Sequence, residues 1–459
     1  MALGMRWAIV AAALLIMAAA WPLSTFSRTE LAPVEDQSHT SLFFEASPDS
    51  TLAASNRDHL KVVDVLTSFP ETDFTWSLTS AWGGFGGLVA KDWKKRTRST
   101  EEMYGDVFGA VSQVSGLRVF PRLDPPLPTP GQYDVELVLQ SDAPVERMLE
   151  TAKAVLEAGW KSGKFLYVDT DLKIDMPEAR VVLDREKIAD LGLDLAGVGR
   201  ELGTLLGGDY VNRFQQRNAV RIFGGVQLGV TKEEGLRVLE SAAAAASGPV
   251  VGVDYVGESR QIRREGSALT VTLGFAVVLI YLVLAAQFHS FRDPLIVLLG
   301  SVPLAISGAL IFSFLDLTTI NIYSQVGLIT LVGLISKNGI LIVQFANELQ
   351  TRGLAKIAAL REAALTRLRP VLMTSAATVF GHLPLVLVTG PGAEARNSIG
   401  TVLVTGMTVG TLFTLFVGPV FYSLIAARHR PIQVDEEIEQ ETRPSVGPAA
   451  SAVPALGTA

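Results

Sequence analysis

The residue in this sequence best placed to do chemistry is a lysine in the middle of an apolar run. Lys337 lies within Gln325–Glu348, QVGLITLVGLISKNGILIVQFANE. A helix of about 20 apolar residues crosses a bilayer, so this run is long enough to span one. An ammonium at that depth costs about 3 kcal/mol or more, so such a residue is normally paired and functional. Snorkelling to the membrane surface requires a helix end, and Lys337 is about ten residues from either end. At about 100° per residue, Thr330, Gly333, Lys337 and Gln344 share one face, while Val332, Ile335 and Ile342 take the other. One side therefore suits lipid and the other suits neighbouring helices. The lysine needs a carboxylate, yet no Asp or Glu falls inside the hydrophobic spans 7–26, 267–286, 294–314, 321–346, 370–389 or 398–425. Its partner is expected from another chain.

Composition bounds the alternatives. The 459 residues are 49% hydrophobic with a mean hydropathy of +0.34, too apolar for an ordinary soluble enzyme. A net charge of −7 without a concentrated basic surface argues against nucleic-acid binding. The absence of cysteine excludes disulfides, thiolate metal sites and cysteine nucleophiles. His39, His59, His289, His382 and His429 are scattered without metal-ligand spacing. P-loop and serine-nucleophile patterns are absent, so the chain is read as a non-enzyme.

The elements around the lysine follow from the same sequence. Residues 7–26 form a first span. A cleaved leader ending near Ala18-Ala19-Ala20 is the alternative, but the apolar run continues to Phe26 and lacks a strongly basic start. From Arg28 to Arg264 the chain is polar, with strands expected at 40–46, 74–80, 88–93, 117–120, 134–140, 165–169, 179–183 and 250–255. Helices are expected at 52–66, 100–114, 144–158, 184–190, 195–206 and 231–247, and a hairpin at 210–214 with 219–223. Short strands alternating with crossover helices suggest a pair of split-βαβ units, separated by the stiff stretch Pro121–Pro130. The divisions are a first span at 1–27, one unit at 28–125, a second at 126–176 continued at 229–264, an insertion at 177–228, five spans at 265–428, and a disordered tail at 429–459. Six spans place both termini on one side. Arg352, Lys356, Arg361, Arg367 and Arg369 between the fourth and fifth spans, with Arg428 and Arg430, make that side cytoplasmic, the opposite loops offering only Arg396.

Several collinear motifs carry a resemblance. They include Glu30-Leu31-Ala32-Pro33-Val34-Glu35-Asp36, Lys91-Asp92-Trp93, Gly207-Gly208-Asp209-Tyr210-Val211-Asn212, Gln325-Val326-Gly327-Leu328, Lys337-Asn338-Gly339-Ile340-Leu341-Ile342-Val343, the run from Arg367 to Ser375, and Gly418-Pro419-Val420-Phe421. Over residues 1 to about 430 the chain resembles the C-terminal half of a resistance–nodulation–division (RND) multidrug efflux transporter of the hydrophobe/amphiphile class. The resemblance implies an α-helical membrane bundle of six spans and an α+β periplasmic domain of split-βαβ porter subdomains with a small docking insertion. It implies a trimeric proton/drug antiporter of the bacterial inner membrane, without a cofactor, that works with a periplasmic adaptor and an outer-membrane channel on drug-like amphiphiles. Lys337, Asn338, Thr374 and Arg367 match the proton relay, whose two aspartates belong to the other half of such a protein. Trp82 and Phe85 in the Gly-rich stretch 82–87 are candidates for an apolar pocket, with local packing the equal alternative. Much of the docking subdomain and some porter strands are expected to be missing, and the Gly-rich loop 82–87 is shorter than such proteins carry, so autonomous transport is not expected. A non-transporting remnant and a protein-export motor subunit of the same superfamily are the other readings.

Overall fold

The computed structural model describes residues 2–173, 182–206, 213–214, 217–246, 252–265 and 268–428. The expected tail, the Gly207–Asn212 motif and the turn Ser247-Gly248-Pro249 lie outside these residues, as does most of the expected strand at 179–183.

A long apolar helix, α1 (Arg6–Phe26), opens the chain. The first extramembrane unit then runs β1 (His39–Ala46), α2 (Leu52–Thr67), β2 (Thr72–Ser80), β3 (Gly83–Ala90), α3 (Thr100–Val111) and β4 (Leu117–Leu123). Side-chain caps start both helices: Thr51 accepts from Ala54 N, and Ser99 with Glu102 forms a reciprocal capping box. The sheet is antiparallel in the order β2-β3-β1-β4, the split-βαβ arrangement expected from the sequence. One face buries Leu42, Phe44 and Leu88 against Val62, Leu66, Met103 and Val107 of the two helices.

The strand expected at 88–93 in fact begins at Gly83 and ends at Ala90, with Trp93 in a short 3-10 turn. Glycines hid its start, because they lower strand propensity. They are required there. At Gly83 (φ +133°) a Cβ would sit 2.1 Å from the Phe44 carbonyl oxygen, and at Gly84 (φ +157°) 2.0 Å from that of Leu78.

The second unit repeats the topology: β5 (Val135–Ser141), α4 (Val145–Lys161), β6 (Phe165–Thr170), then α5 (Arg185–Asp190), α6 (Leu195–Leu206) and β7 (Arg213–Phe214), followed by β8 (Arg217–Val226), α7 (Lys232–Ala245) and β9 (Gly252–Tyr255). Its main order is β6-β8-β5-β9, with β7 pairing on β8. Residues 217–226, grouped with the insertion on sequence, are therefore the third strand of this unit's sheet. Both units hold four principal strands and two crossover helices, so the strands expected to be missing are present. The two sheets meet through Phe120, Tyr133, Tyr167 and Phe223. There the hydroxyls of Tyr104 and Tyr167 both donate to the Pro121 carbonyl at 2.9 Å.

After α8 (Gly257–Glu265) come α9 (Ala268–Phe288), α10 (Arg292–Leu299), α11 (Val302–Phe314), α12 (Ile322–Thr351), α13 (Lys356–Leu387) and α14 (Ala393–Ile425). With α10 and α11 continuous, the described residues hold six helical segments long and apolar enough to cross a membrane. α13 begins at Lys356 rather than near 370, so Arg361, Arg367 and Arg369 lie on a helix rather than in a loop. Pro370 and Pro384 sit inside it, which membrane helices tolerate when neighbours satisfy the freed backbone groups. α14 packs against α11, α12 and α13. Its small residues allow this: a Cβ on Gly406 would lie 2.2 Å from Leu331 Cδ2, and one on Gly410 2.7 Å from Ala305 Cβ.

The extramembrane units are tied to the bundle at the entry of α12. Thr29 bridges Ile320, the Ile320 amide donates to the Arg28 carbonyl at 2.9 Å, and the Ile322 amide donates to Leu31 at 3.0 Å. Beside this bridge Thr319 donates to Glu30, whose carboxyl is pushed up by burial.

Candidate functional site

α12 is started by Asn321, whose side chain accepts from the amides of Tyr323 at 2.9 Å and Ser324 at 3.0 Å. From this fixed origin the helix turns Val332, Ile335 and Ile342 into the core of the bundle, where they are 1%, 0% and 3% exposed. Thr330, Gly333, Lys337 and Gln344 are exposed. The chain's own helices thus cover the apolar face, and the lysine face is the bare one. Among the described residues Lys337 has no hydrogen-bond or ion-pair partner.

The other expected relay residues are positioned differently. Asn338, one residue on, is buried, and its amide donates to Ser375 Oγ at 3.0 Å and Thr411 Oγ1 at 3.3 Å. Thr411 in turn donates to Ser375 Oγ at 3.0 Å, so the node joins α12, α13 and α14. Thr374 is half-buried, and its hydroxyl donates to the Val371 carbonyl of its own helix at 3.1 Å. Arg367 stacks its guanidinium 4.6 Å above the ring of Phe345, and its buried Nε has no hydrogen-bond partner. The pairs 338–375 and 345–367 set an antiparallel register of α12 with α13, which puts Lys337 within a turn of the level of Thr374 without a hydrogen bond between them.

The helices run beyond the apolar stretches read from sequence and take in Asp293, Glu348, Glu362 and Glu394 near their ends, of which Asp293 is buried. The helical segment containing α10 starts at Arg292, two residues earlier than the apolar run suggests, and includes Asp293, 1% exposed. Asp293 Oδ2 accepts from Asn347 at 2.9 Å, and its Oδ1 has no partner. Tyr422 donates to Asn347 Oδ1 at 2.5 Å, and Gln350 donates to the Tyr422 hydroxyl at 2.7 Å. Asn347 is ten residues from Lys337 on α12, about 15 Å along the axis, so Asp293 does not serve the lysine. It closes a latch between α10, α12 and α14.

The aromatic candidates sit on the first sheet, on the face opposite its helices. Trp82, in the β2–β3 turn, is 71% exposed and Phe85 42%. Phe74, Trp76 and Leu78 alternate along β2 and so share Phe85's face, Leu78 directly opposite Phe85. All three are exposed, and Trp76 meets Phe85 edge-on at 6.0 Å. These three were not singled out on sequence, although the alternation apolar–polar–apolar over 74–78 carries their signal. Towards β4 the second unit covers the same face: Phe43 and Phe120 pack on Tyr133. The result is a half-covered sheet with an open aromatic margin, suited to apolar guests.

An extramembrane pair of split-βαβ units on six spans, with a bare intramembrane lysine, has the form of a membrane transporter. The chain belongs to the AcrB/AcrD/AcrF family, whose model matches residues 1–240 and 220–426. This bears out the resemblance to RND efflux transporters. A transporter of uncharacterised function from Haemophilus influenzae is 35% identical, the match covering 80% of this chain and 42% of that protein. The multidrug/solvent efflux pump membrane transporter MepB of Pseudomonas putida is 26% identical over 94% of this chain and 48% of its own length. The multidrug export protein AcrF of Escherichia coli is 26% identical, with 79% and 41% covered. The chain therefore spans about half the length of the curated relatives it matches.

Proposed function

We propose that the chain is one half of an RND-type, proton-driven efflux transporter that exports amphiphilic small molecules from the inner membrane or periplasm. The observation that carries this reading is the bare face of α12: among the described residues Lys337 is unpaired beside Thr330, Gly333 and Gln344, while the apolar face is already packed. A lysine at mid-span requires an acid, and a second membrane half presenting aspartates against this face supplies it. Protonation of those acids releases the lysine pairing and shifts helix packing, a charge switch acting on a bistable element. The Thr29–Ile320 bridge offers a short path from α12 to the extramembrane units, which act as the porter subdomains. In this assembly 28–264 is periplasmic, both termini are cytoplasmic, and the complex is a trimer engaging a periplasmic adaptor and an outer-membrane channel. Transport uses the proton gradient and no cofactor.

The chain alone holds the base without its acids, so it is expected to give no proton-coupled efflux. Dye efflux in a pump-deficient host checks this, with and without co-expression of a half carrying paired intramembrane aspartates. Robust uncoupler-sensitive efflux by the isolated chain would refute the two-half reading.

A further inference from the structure

His39, the first residue of β1, stands at the rim of the open aromatic face. Trp76 Nε1 donates to His39 Nε2 at 3.2 Å, and the two rings stack at 6.0 Å with 9° between their planes. On its other side His39 Nδ1 lies 2.5 Å from Asp124 Oδ2, while Ser41 Oγ donates to Asp124 Oδ1 at 2.6 Å. Gly87 lies beneath the contact. A Cβ there would fall 2.3 Å from His39 Nε2 and 2.9 Å from Trp76 Nε1, so the histidine–tryptophan contact exists because this position has no side chain.

The partners fix the tautomer. An indole N–H only donates, so Nε2 must be the bare acceptor and Nδ1 carries the hydrogen given to Asp124. Burial works against the Asp124 carboxylate, but hydrogen bonds from His39 and Ser41 outweigh it and hold its pKa below the usual value. Asp124 is thus an anion facing the imidazole, and the Arg122 charge also favours its ionised form. The paired residues of β2 and β3, from Phe74 with Val89 to Ser77 with Gly86, carry no charge, and Asp36 and Arg96, which bond Ser38 beside the histidine, are ion-paired with each other at 2.8 Å. A proton added to Nε2 strengthens the bond to Asp124 and turns the Trp76 contact into donor against donor.

We propose that His39 is a proton-operated latch on Trp76: neutral, it holds the indole flat as part of the aromatic face, and protonated, it releases it. Trp76 in turn braces Phe85 edge-on, so the latch sets the shape of the whole open margin. This rests on reading that margin as the contact surface for apolar guests. It makes guest binding depend on pH on the side of the membrane that holds this domain.

The test is tryptophan emission of the full chain in detergent, taken as the difference between wild type and Trp76→Phe across a pH titration. A single-proton transition carried by the imidazole is expected. His39→Gln keeps an acceptor for the indole but cannot titrate, and should give a flat difference. A flat wild-type difference, or the same transition in His39→Gln, overturns the latch. Rhodamine 6G polarisation at about pH 8 and about pH 5.5, on either side of the ordinary histidine range, separates the latch from the underlying reading. An affinity about fivefold weaker at low pH in wild type and unchanged in His39→Gln supports both, one hydrogen bond being worth about 1 kcal/mol. An emission transition with no dye binding at either pH leaves the latch standing and overturns the guest surface.

Discussion

The two faces of α12, read at Lys337 and Asn338, are about 100° apart and are treated in opposite ways. Asn338 is 2% exposed and meets Ser375 and Thr411, closing a node between three helices of the same chain. Lys337 is exposed and has no hydrogen-bond or ion-pair partner among the described residues. One face is finished and the other is not. A buried amide held by two hydroxyls can be completed within one polypeptide, and it fixes how α12 lies against α13 and α14. An exposed ammonium at mid-span cannot remain so in hydrocarbon. The difference separates residues that build the bundle from the residue that, on the proposed reading, awaits a partner, although the resemblance grouped all of them as one relay.

The sharpest way to break this comparison is to remove the lysine. With the partner half co-expressed, Lys337→Ala should abolish drug resistance at matched membrane levels. An ion pair stripped of one member leaves a buried charge costing about 3–5 kcal/mol. Lys337→Arg should also fail largely, because a planar guanidinium does not reproduce a compact ammonium that makes and breaks one pairing. Wild-type resistance from Lys337→Ala would make the lysine a structural passenger and remove the distinction between the two faces.

The inward face should respond in stability instead. Asn338→Leu loses both amide hydrogen bonds but leaves the Ser375–Thr411 hydroxyl pair intact. The expected cost is about 0.6–1.7 kcal/mol, the range of interhelical hydrogen bonds in membranes, read as thermal unfolding of the purified chain in detergent. Transport should then fall only as far as the amount of assembled protein falls. Unchanged stability with transport lost would move Asn338 into the relay with Lys337.

What could be read in advance follows the physics of each element. Length and apolarity made the six spans legible, and alternation with crossover helices made the first unit legible. β8 was misgrouped because its partners, β5 and β6, lie on the far side of the insertion, and pairing across such a gap leaves no local signal. β3 was shortened because Gly83, Gly84, Gly86 and Gly87 look like a loop, whereas the close backbone approach of Phe44 and Leu78 is what demands them. Asp293 was missed because it sits at the edge of an apolar run, where only the fold shows that a helix end is buried. Lys337 could be found from its type and depth. Whether its face was covered could not, since that depends on which side of α12 the other five spans choose.

The smallest effect, and the finest probe of the boundary between the faces, belongs to Thr374. It lies within a turn of the level of Lys337 on the neighbouring helix, yet its hydroxyl is given to the Val371 carbonyl of α13. Its own carbonyl accepts from Thr378 at 2.9 Å, so both polar groups are satisfied locally. A hydroxyl bonded back to its own helix competes weakly with backbone bonds and adds little between helices. Thr374→Ala should therefore leave unfolding within about 0.5 kcal/mol of wild type, as for a substitution that removes no packing or unique partner. Resistance in the co-expressed pair should drop far less than in Lys337→Ala. Near-complete loss of resistance with unchanged stability would mean that Thr374 turns from its helix to the lysine once the second half docks, and the unfinished face would then extend from α12 onto α13.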